Sequence, residues 1–354
     1  MEKHKCIYCL EEKRKDEFNR EHVVPRMMGT YQDGFVLNDN QVCEECNKYF
    51  SRNIENAISL NSFEGLLRMQ HGSRVMSEGR ALKGHRISLI GNEGVFKGLN
   101  FSVFADSTND ERIHLDISPC IGIIRDIDNN EYDYYALDKV PEATDEILSR
   151  IKGIKAGLVT AGGLKQADAD VILKAKGYLS NDYKYSEEPV ADLHGKADFD
   201  TTIKFSIDAI VRRVCAKTVF NYLCFSKGKE YVLQPRFDEI RKYIREGIWS
   251  ENLWFRYSQE PVSAIDLPND TAHSVGYMLF PNDGYWVLCG CVTWFGQLTY
   301  VFKLGITDIA ITRFNMLPGT KMAYFNNENS TISEEDAVFI YGGRSGDQYS
   351  FENV

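Results

Sequence analysis

The spacing of apolar and polar side chains changes character several times along the chain. After Asn47 the run KYFSRNIENAISLNSF places apolar residues at helical intervals, as a helix does when it packs one stripe and exposes the rest. Past about residue 80 the period falls to two. Residues 86–90, 95–99, 100–104 and 113–117 alternate apolar and polar positions between Asn, Asp and Gly punctuation, which predicts half-buried strands joined by turns. Residues 143–178 read as helical, with Ile147, Leu148 and Ile151 on one stripe and Val171, Ile172 and Leu173 in a later segment beyond Gly162-Gly163. The stretch 180–200 is polar and reads as a loop. A helix is predicted over about 204–225, with Ile207, Ile210, Val211, Val214 and Val219 inward and Arg212, Arg213 and Lys217 outward. Another runs over about 236–246 and stops at Gly247, a residue type suited to the left-handed position after a helix. Residues 276–304 are intensely apolar and aromatic. Two buried strands joined through Phe295-Gly296-Gln297 explain that run better than a membrane span, which needs ~20 uninterrupted apolar residues.

This pattern predicts an α+β fold with mostly antiparallel sheet in three regions: 1–75, a β-rich then helical 80–190, and an α+β segment over 200–354. The 354 residues, of which 43% are hydrophobic and 26% charged, have a globular composition, which excludes collagen-like, disordered and small disulfide-stapled classes. The opening MEKHKCIYCLEEK lacks the apolar core of a signal peptide, so a cytoplasmic protein is expected. The formal charge of −10 argues against a surface that coats nucleic acid all over, but a site can be locally basic within an acidic chain.

The nine cysteines fall into two groups. Cys6-x-x-Cys9 and Cys43-x-x-Cys46 are paired, whereas Cys120, Cys215, Cys224, Cys289 and Cys291 are scattered in apolar stretches and read as buried small hydrophobes. Each C-x-x-C turn sets two thiolates on one side of a tight knuckle, and two knuckles complete the tetrahedral four-sulfur shell that a structural Zn²⁺ prefers. Disulfides fit a reducing compartment and an odd cysteine total poorly.

Between and after the knuckles stand Glu21-His22-Val23-Val24-Pro25, then Cys46-Asn47, then a helix bearing Asn53, Glu55 and Asn56. This order resembles an HNH nuclease domain of the type flanked by two C-x-x-C knuckles, over about residues 1–70. The resemblance implies a zinc-stapled ββα-metal, treble-clef-like module. It implies His22 as general base, Asn47 as the residue that ties down the His-bearing loop, and Glu21 with Asn56 as ligands of a catalytic Mg²⁺ or Mn²⁺. Asn53 and Glu55 are close competitors for the position of Asn56. Residues 35–37 and 41–42 are expected to surround a turn of Asn38-Asp39-Asn40.

The chemistry is coherent without the family name. Phosphodiester hydrolysis needs a base for water, a cation for the charge growing on the phosphate, and a rigid frame. A histidine, with an ordinary pKa of about 6.5, accepts and returns a proton near neutrality. Adjacent side chains in an extended segment point apart, so Glu21 and His22 can face different groups. Arg20 and Arg26 flank the motif, and Arg68, Arg74, Arg80, Lys83 and Arg86 follow it, basic residues of the kind that grip phosphates. The expectation is a metal-dependent endonuclease acting on DNA, with RNA also open, that leaves 5′-phosphate and 3′-hydroxyl ends, its C-terminal region serving recognition or regulation. Family analogy adds anti-phage defence or restriction as a setting. The competing reading is a non-catalytic zinc-finger adaptor that binds nucleic acid or protein.

Overall fold

A computed structural model describes residues 2–29, 31, 35–72, 81–82, 87–106, 108, 112–129, 131–184, 200–259, 273–282, 285–310, 321–326 and 331–336. The architecture is α+β with antiparallel ladders throughout the described strands. The chain divides into two compact units. One joins residues 1–75 to 207–354, and the other is 76–206.

In the first unit the N-terminal knuckle is a small hairpin, Lys3–Lys5 against Glu12–Arg14. The strand Phe18–His22 then pairs antiparallel with Val36–Cys43. Pairing steps from Asn19 opposite Val42 to Glu21 opposite Leu37, so the expected Asn38-Asp39-Asn40 turn is instead a bulge within one continuous strand. The Asn38 N–H closes it on Gln41 Oε1 at 2.8 Å, giving the looped-out backbone a local partner. A helix follows directly after the second knuckle as Glu44–Phe50, widens into a π turn over Ser51–Glu55, and resumes as Asn56–Leu60. Phe63–His71 forms a further helix, capped by the Ser62 hydroxyl accepting from Gly65 N–H at 3.1 Å.

The rest of this unit is a six-stranded antiparallel sheet, in the order Phe255–Ser258, Leu298–Ala310, Tyr285–Trp294, His273–Asn282, Lys321–Asn326 and Thr331–Asp336. Tyr285–Trp294 and Leu298–Ala310 are the two strands expected to join through Phe295-Gly296-Gln297, but the apolar run over 276–304 also takes in part of a third, His273–Asn282. Phe295 and Gly296 take φ of 52° and 69°, and the Gln297 N–H returns to Trp294 O at 3.1 Å. Against this sheet lies the helix Ala209–Lys227, which we call the central helix. It starts five residues past the expected 204 because residues 201–205 pair as a strand with Ile87–Gly91, and because Asp208 Oδ1 accepts from the Ile210 and Val211 N–H groups. The outward placement expected for Arg213 and Lys217 is wrong. Val211 and every residue from Arg213 to Cys224 are buried, since the helix is enclosed by the sheet and by the N-terminal module. The helix Asp238–Glu246 ends as expected at Gly247, whose φ of 80° is left-handed.

The second unit holds a four-stranded sheet, Thr201–Phe205, Ile87–Gly91, Asn100–Ala105 and Ile113–Ile117, and a three-stranded one, Leu158–Ala161, Cys120–Asp126 and Glu131–Ala136. Residues 95–99, expected as a strand, contain the 3₁₀ turn Gly94–Phe96 instead. The segment read as helical over 143–178 is two helices, Asp145–Ile151 and Gln166–Ala175, with Leu158–Ala161 between them. Ile121, Ile123, Ile151, Leu158, Leu173 and Tyr178 form its core.

Candidate active site

The four paired cysteines converge. Their sulfurs all lie within 4.8 Å of one another, and Cys9 Sγ to Cys43 Sγ is 3.8 Å. Four sulfurs each about 2.3 Å from a tetrahedral zinc would stand roughly 3.8 Å apart along an edge, so the cluster has the dimensions of a Zn²⁺ shell. Cys6, Cys43 and Cys46 are buried and Cys9 is half-buried, as a closed structural site requires. The backbone supports the thiolates: Tyr8 N–H and Cys43 N–H both point at Cys6 Sγ, at 3.5 and 3.4 Å. The five other cysteines are buried and unpaired with one another.

The bulge next to Glu21 sets the facing of the motif. Glu21 turns inward with 6% of its surface exposed, while Arg20, His22, Val24 and Arg26 line a pocket of about 460 Å³ together with Gly29, Tyr31, Phe35, Val36, Phe225 and Phe325. The aromatic wall is continuous, with ring centroids 4.3 Å apart for Phe35 and Phe225, 5.7 Å for Phe35 and Phe325, and 4.9 Å for Tyr31 and Phe325. His22 is half-buried. Burial first, then the charges of Arg26, Lys217 and Arg20, hold its pKa below the ordinary histidine range, which keeps the imidazole neutral and able to take a proton. Asn47 Nδ2 donates to Arg20 O at 3.2 Å, tying the helix start to the strand that bears His22.

Glu21 and the helix position do not meet as the resemblance implies. Asn56 is exposed, and Asn53 is exposed with its Nδ2 donating to Tyr49 O at 2.9 Å. The residue turned toward Glu21 is Glu55. The π turn over 51–55 bonds i to i+5, which rotates the residues after it relative to a regular helix, so counting from Asn47 with a 3.6 period selects the wrong neighbour. Between the two carboxylates sits Lys217 from the central helix. Its Nζ donates to Glu21 Oε1 and lies 2.8 Å from Glu55 Oε1. Burial works against its charge, but the two carboxylates raise its pKa above the ordinary lysine range. Burial, with Glu55 adding to it, pushes the Glu21 carboxyl up while Lys217 pulls against them.

Lys217 is one rung of a ladder. Arg213, Lys217 and Asn221 recur at i, i+4 and i+8 on one face of the buried stretch of the central helix, and all three reach the N-terminal module. Arg213 donates to Tyr49 Oη at 2.7 Å and to the carbonyls that end the helix Asp238–Glu246, Ile244 O and Arg245 O. Asn221 Nδ2 donates to His22 O at 3.1 Å, and its Oδ1 accepts from Tyr8 Oη, inside the first knuckle. From the helix Asp238–Glu246, Arg241 donates to Ile7 O at 2.6 Å. Sequence reading missed this set. The usable signal was that apolar residues flank Arg213, Lys217 and Asn221 on both sides of their stripe, so the stripe is buried with them and must be paired.

Of the basic residues expected to grip phosphate, Arg68 donates to Ser59 O at 3.3 Å, while Arg74, Arg80, Lys83 and Arg86 lie outside the described residues. Trp249 packs edge-on against Tyr243, 4.8 Å between centroids. Among the described residues no helix is long and apolar enough to cross a membrane. No curated protein and no solved structure matches the chain. Residues 6–63 do match the model of a family described as HNH endonuclease, and that span takes in the four cysteines, Glu21 to Pro25, Asn47 and the helix bearing Glu55, so the N-terminal segment is similar to an HNH nuclease domain.

Proposed function

We propose that the N-terminal module hydrolyses phosphodiester bonds of nucleic acid, DNA first, with His22 as the general base. The observation that carries this reading is the neutral, half-buried His22 imidazole on the wall of a pocket that also offers two guanidinium groups and four aromatic rings. Arg20 and Arg26 hold the scissile phosphate and offset charge that grows on its oxygens. Tyr31, Phe35 and Phe225, backed by the buried Phe325, give an adjoining base a face to stack on, worth about 1–3 kcal/mol per base in single-strand binding sites. His22 takes the proton of the attacking water, Asn47 and Asn221 fix the strand that carries it, and the zinc cluster serves as a core for a module too small to build one. Anti-phage defence or restriction remains the setting that family analogy offers.

The resemblance also implies a divalent cation on Glu21 and Asn56. The residues do not fit that assignment, because the Glu21 carboxylate is engaged by Lys217 and Asn221 and Asn56 is exposed on the helix. No step above is routed through such an ion. The same observation favours the second reading, an adaptor that binds nucleic acid without cutting it. Incubating the purified full-length protein with plasmid, beside His22→Ala, separates the two. Cleavage that falls at least ~100-fold in His22→Ala, with circular dichroism and zinc content unchanged, is expected, since general-base catalysis contributes about 10²–10⁴-fold. Equal cleavage by both proteins removes His22 from the chemistry, and binding without cleavage by the wild type supports the adaptor.

A further inference from the structure

Two carboxylates from separate elements, Glu21 on the strand and Glu55 on the π turn, face one another inside the protein with 8% and 13% of their side chains exposed. Such a pair needs a cation, because burial and mutual repulsion both penalise the charged state. The chain supplies one. Lys217 is wholly buried, bonded to one carboxylate and 2.8 Å from the other, with its Nζ also 5.4 Å above the Phe50 ring. We propose that the Lys217 ammonium is the resident cation of the Glu21–Glu55 pair, a permanent replacement there for a divalent ion. The proposal rests on reading residues 6–63 as an HNH module.

Geometry favours a fixed cation over a removable plug. Lys217 cannot swing out, because its helix is buried continuously from Arg213 to Cys224 between the sheet and the N-terminal module. Its neighbours on the same face, Arg213 and Asn221, are held by Tyr49, His22 and Tyr8. A divalent ion at these oxygens would need about six oxygen ligands at 2.0–2.1 Å for Mg²⁺. The ammonium already touches the oxygens it would use, and like charge repels it. The consequence for the chemistry is that charge stabilisation at phosphate falls to Arg20 and Arg26 across the strand from Glu21, without a metal on this pair.

Mn²⁺ binding to the zinc-loaded full-length protein tests this without reference to cleavage, so its failure is distinct from failure of the nuclease reading. Loss of the free Mn²⁺ electron paramagnetic resonance signal reports the bound fraction. At millimolar Mn²⁺ the wild type is expected to retain none that Glu55→Gln releases, and Lys217→Ala is expected to gain stoichiometric Mn²⁺ that Lys217→Ala/Glu55→Gln loses. Mn²⁺ held by the wild type and released by Glu55→Gln overturns the proposal. So does a folded Lys217→Ala that binds none, since the pair would then not be a cation site. If Lys217→Ala does not fold, the wild type against Glu55→Gln decides alone.

Discussion

At the scale of single residues, the motif is anchored by a side chain that no local pattern announces. His273 begins a strand of the six-stranded sheet and is wholly buried, its Nε2 3.0 Å from Met28 O in the motif loop and its Nδ1 accepting from Phe295 N–H at 3.2 Å. These partners require the neutral ring with its proton on Nε2. Burial first, with only the Met28 carbonyl opposing, lowers its pKa to about 4. The ring is thus harder to protonate folded than unfolded, so its contribution is fully present above pH ~6.5 and is lost as pH falls toward 4, by roughly 3 kcal/mol. The melting temperature of the wild type should therefore fall as pH drops through that window, and His273→Gln, which keeps a donor and an acceptor but does not titrate, should show a shallower decline. Parallel curves for the two proteins would remove His273 as the cause. Contrast the cysteine knuckles: C-x-x-C spacing constrains the sulfurs through two short turns, so the quartet was legible before any fold, whereas the Met28 partner of His273 is 245 residues away and Phe295 22, and neither leaves a trace in its neighbours.

Elements were legible where their period was undisturbed. The strands over 285–294 and 298–310 and the stop at Gly247 follow from an apolar run broken at Phe295-Gly296-Gln297 and from a glycine at the left-handed position. The long strand with its bulge and the π turn were not, because both insert residues that break the count on which period rests. The central helix was found but faced wrongly. Solvent was assumed to claim Arg213 and Lys217, and tertiary partners claimed them instead. Its packing gives two predictions. A methyl group at Gly290 would sit 1.8 Å from Val219 Cγ1, so Gly290→Ala should cost about 1–3 kcal/mol by overpacking and lower the melting temperature by several degrees, with partial recovery in Gly290→Ala/Val219→Ala. Asn221→Ala removes the partner of Tyr8 Oη and His22 O. Leaving buried polar groups unpaired costs about 1–3 kcal/mol each, so the variant should melt earlier and also lose cleavage, while its zinc content stays unchanged.

At the scale of the molecule, the N-terminal module is not an independent bead on a string. Residues 1–75 and 207–354 form one unit, with Tyr8 packed 5.6 Å from Phe220 and Arg241 donating to Ile7 O. A fragment of residues 1–75 should therefore fail to give a dispersed nuclear magnetic resonance spectrum even with zinc, because it would expose Ile7, Tyr8 and Phe50, which are now buried. A well-dispersed spectrum would show that the cysteine cluster alone suffices. In the full chain Cys43→Ser should release zinc and lower the melting temperature, read by metal analysis and circular dichroism. The order of Cys, Glu-His, Cys-Asn and helix was settled by the sequence alone, because short loops and tetrahedral thiolate chemistry act over a few residues. Which carboxylate faces Glu21, what cation lies between the two, and which rings wall His22 were settled only by the fold, because Lys217 and Asn221 reach Glu21 from some 200 positions away on a buried helix whose polar stripe has meaning only once its neighbours are in place, and the π turn shifts the count that would have pointed to Glu55.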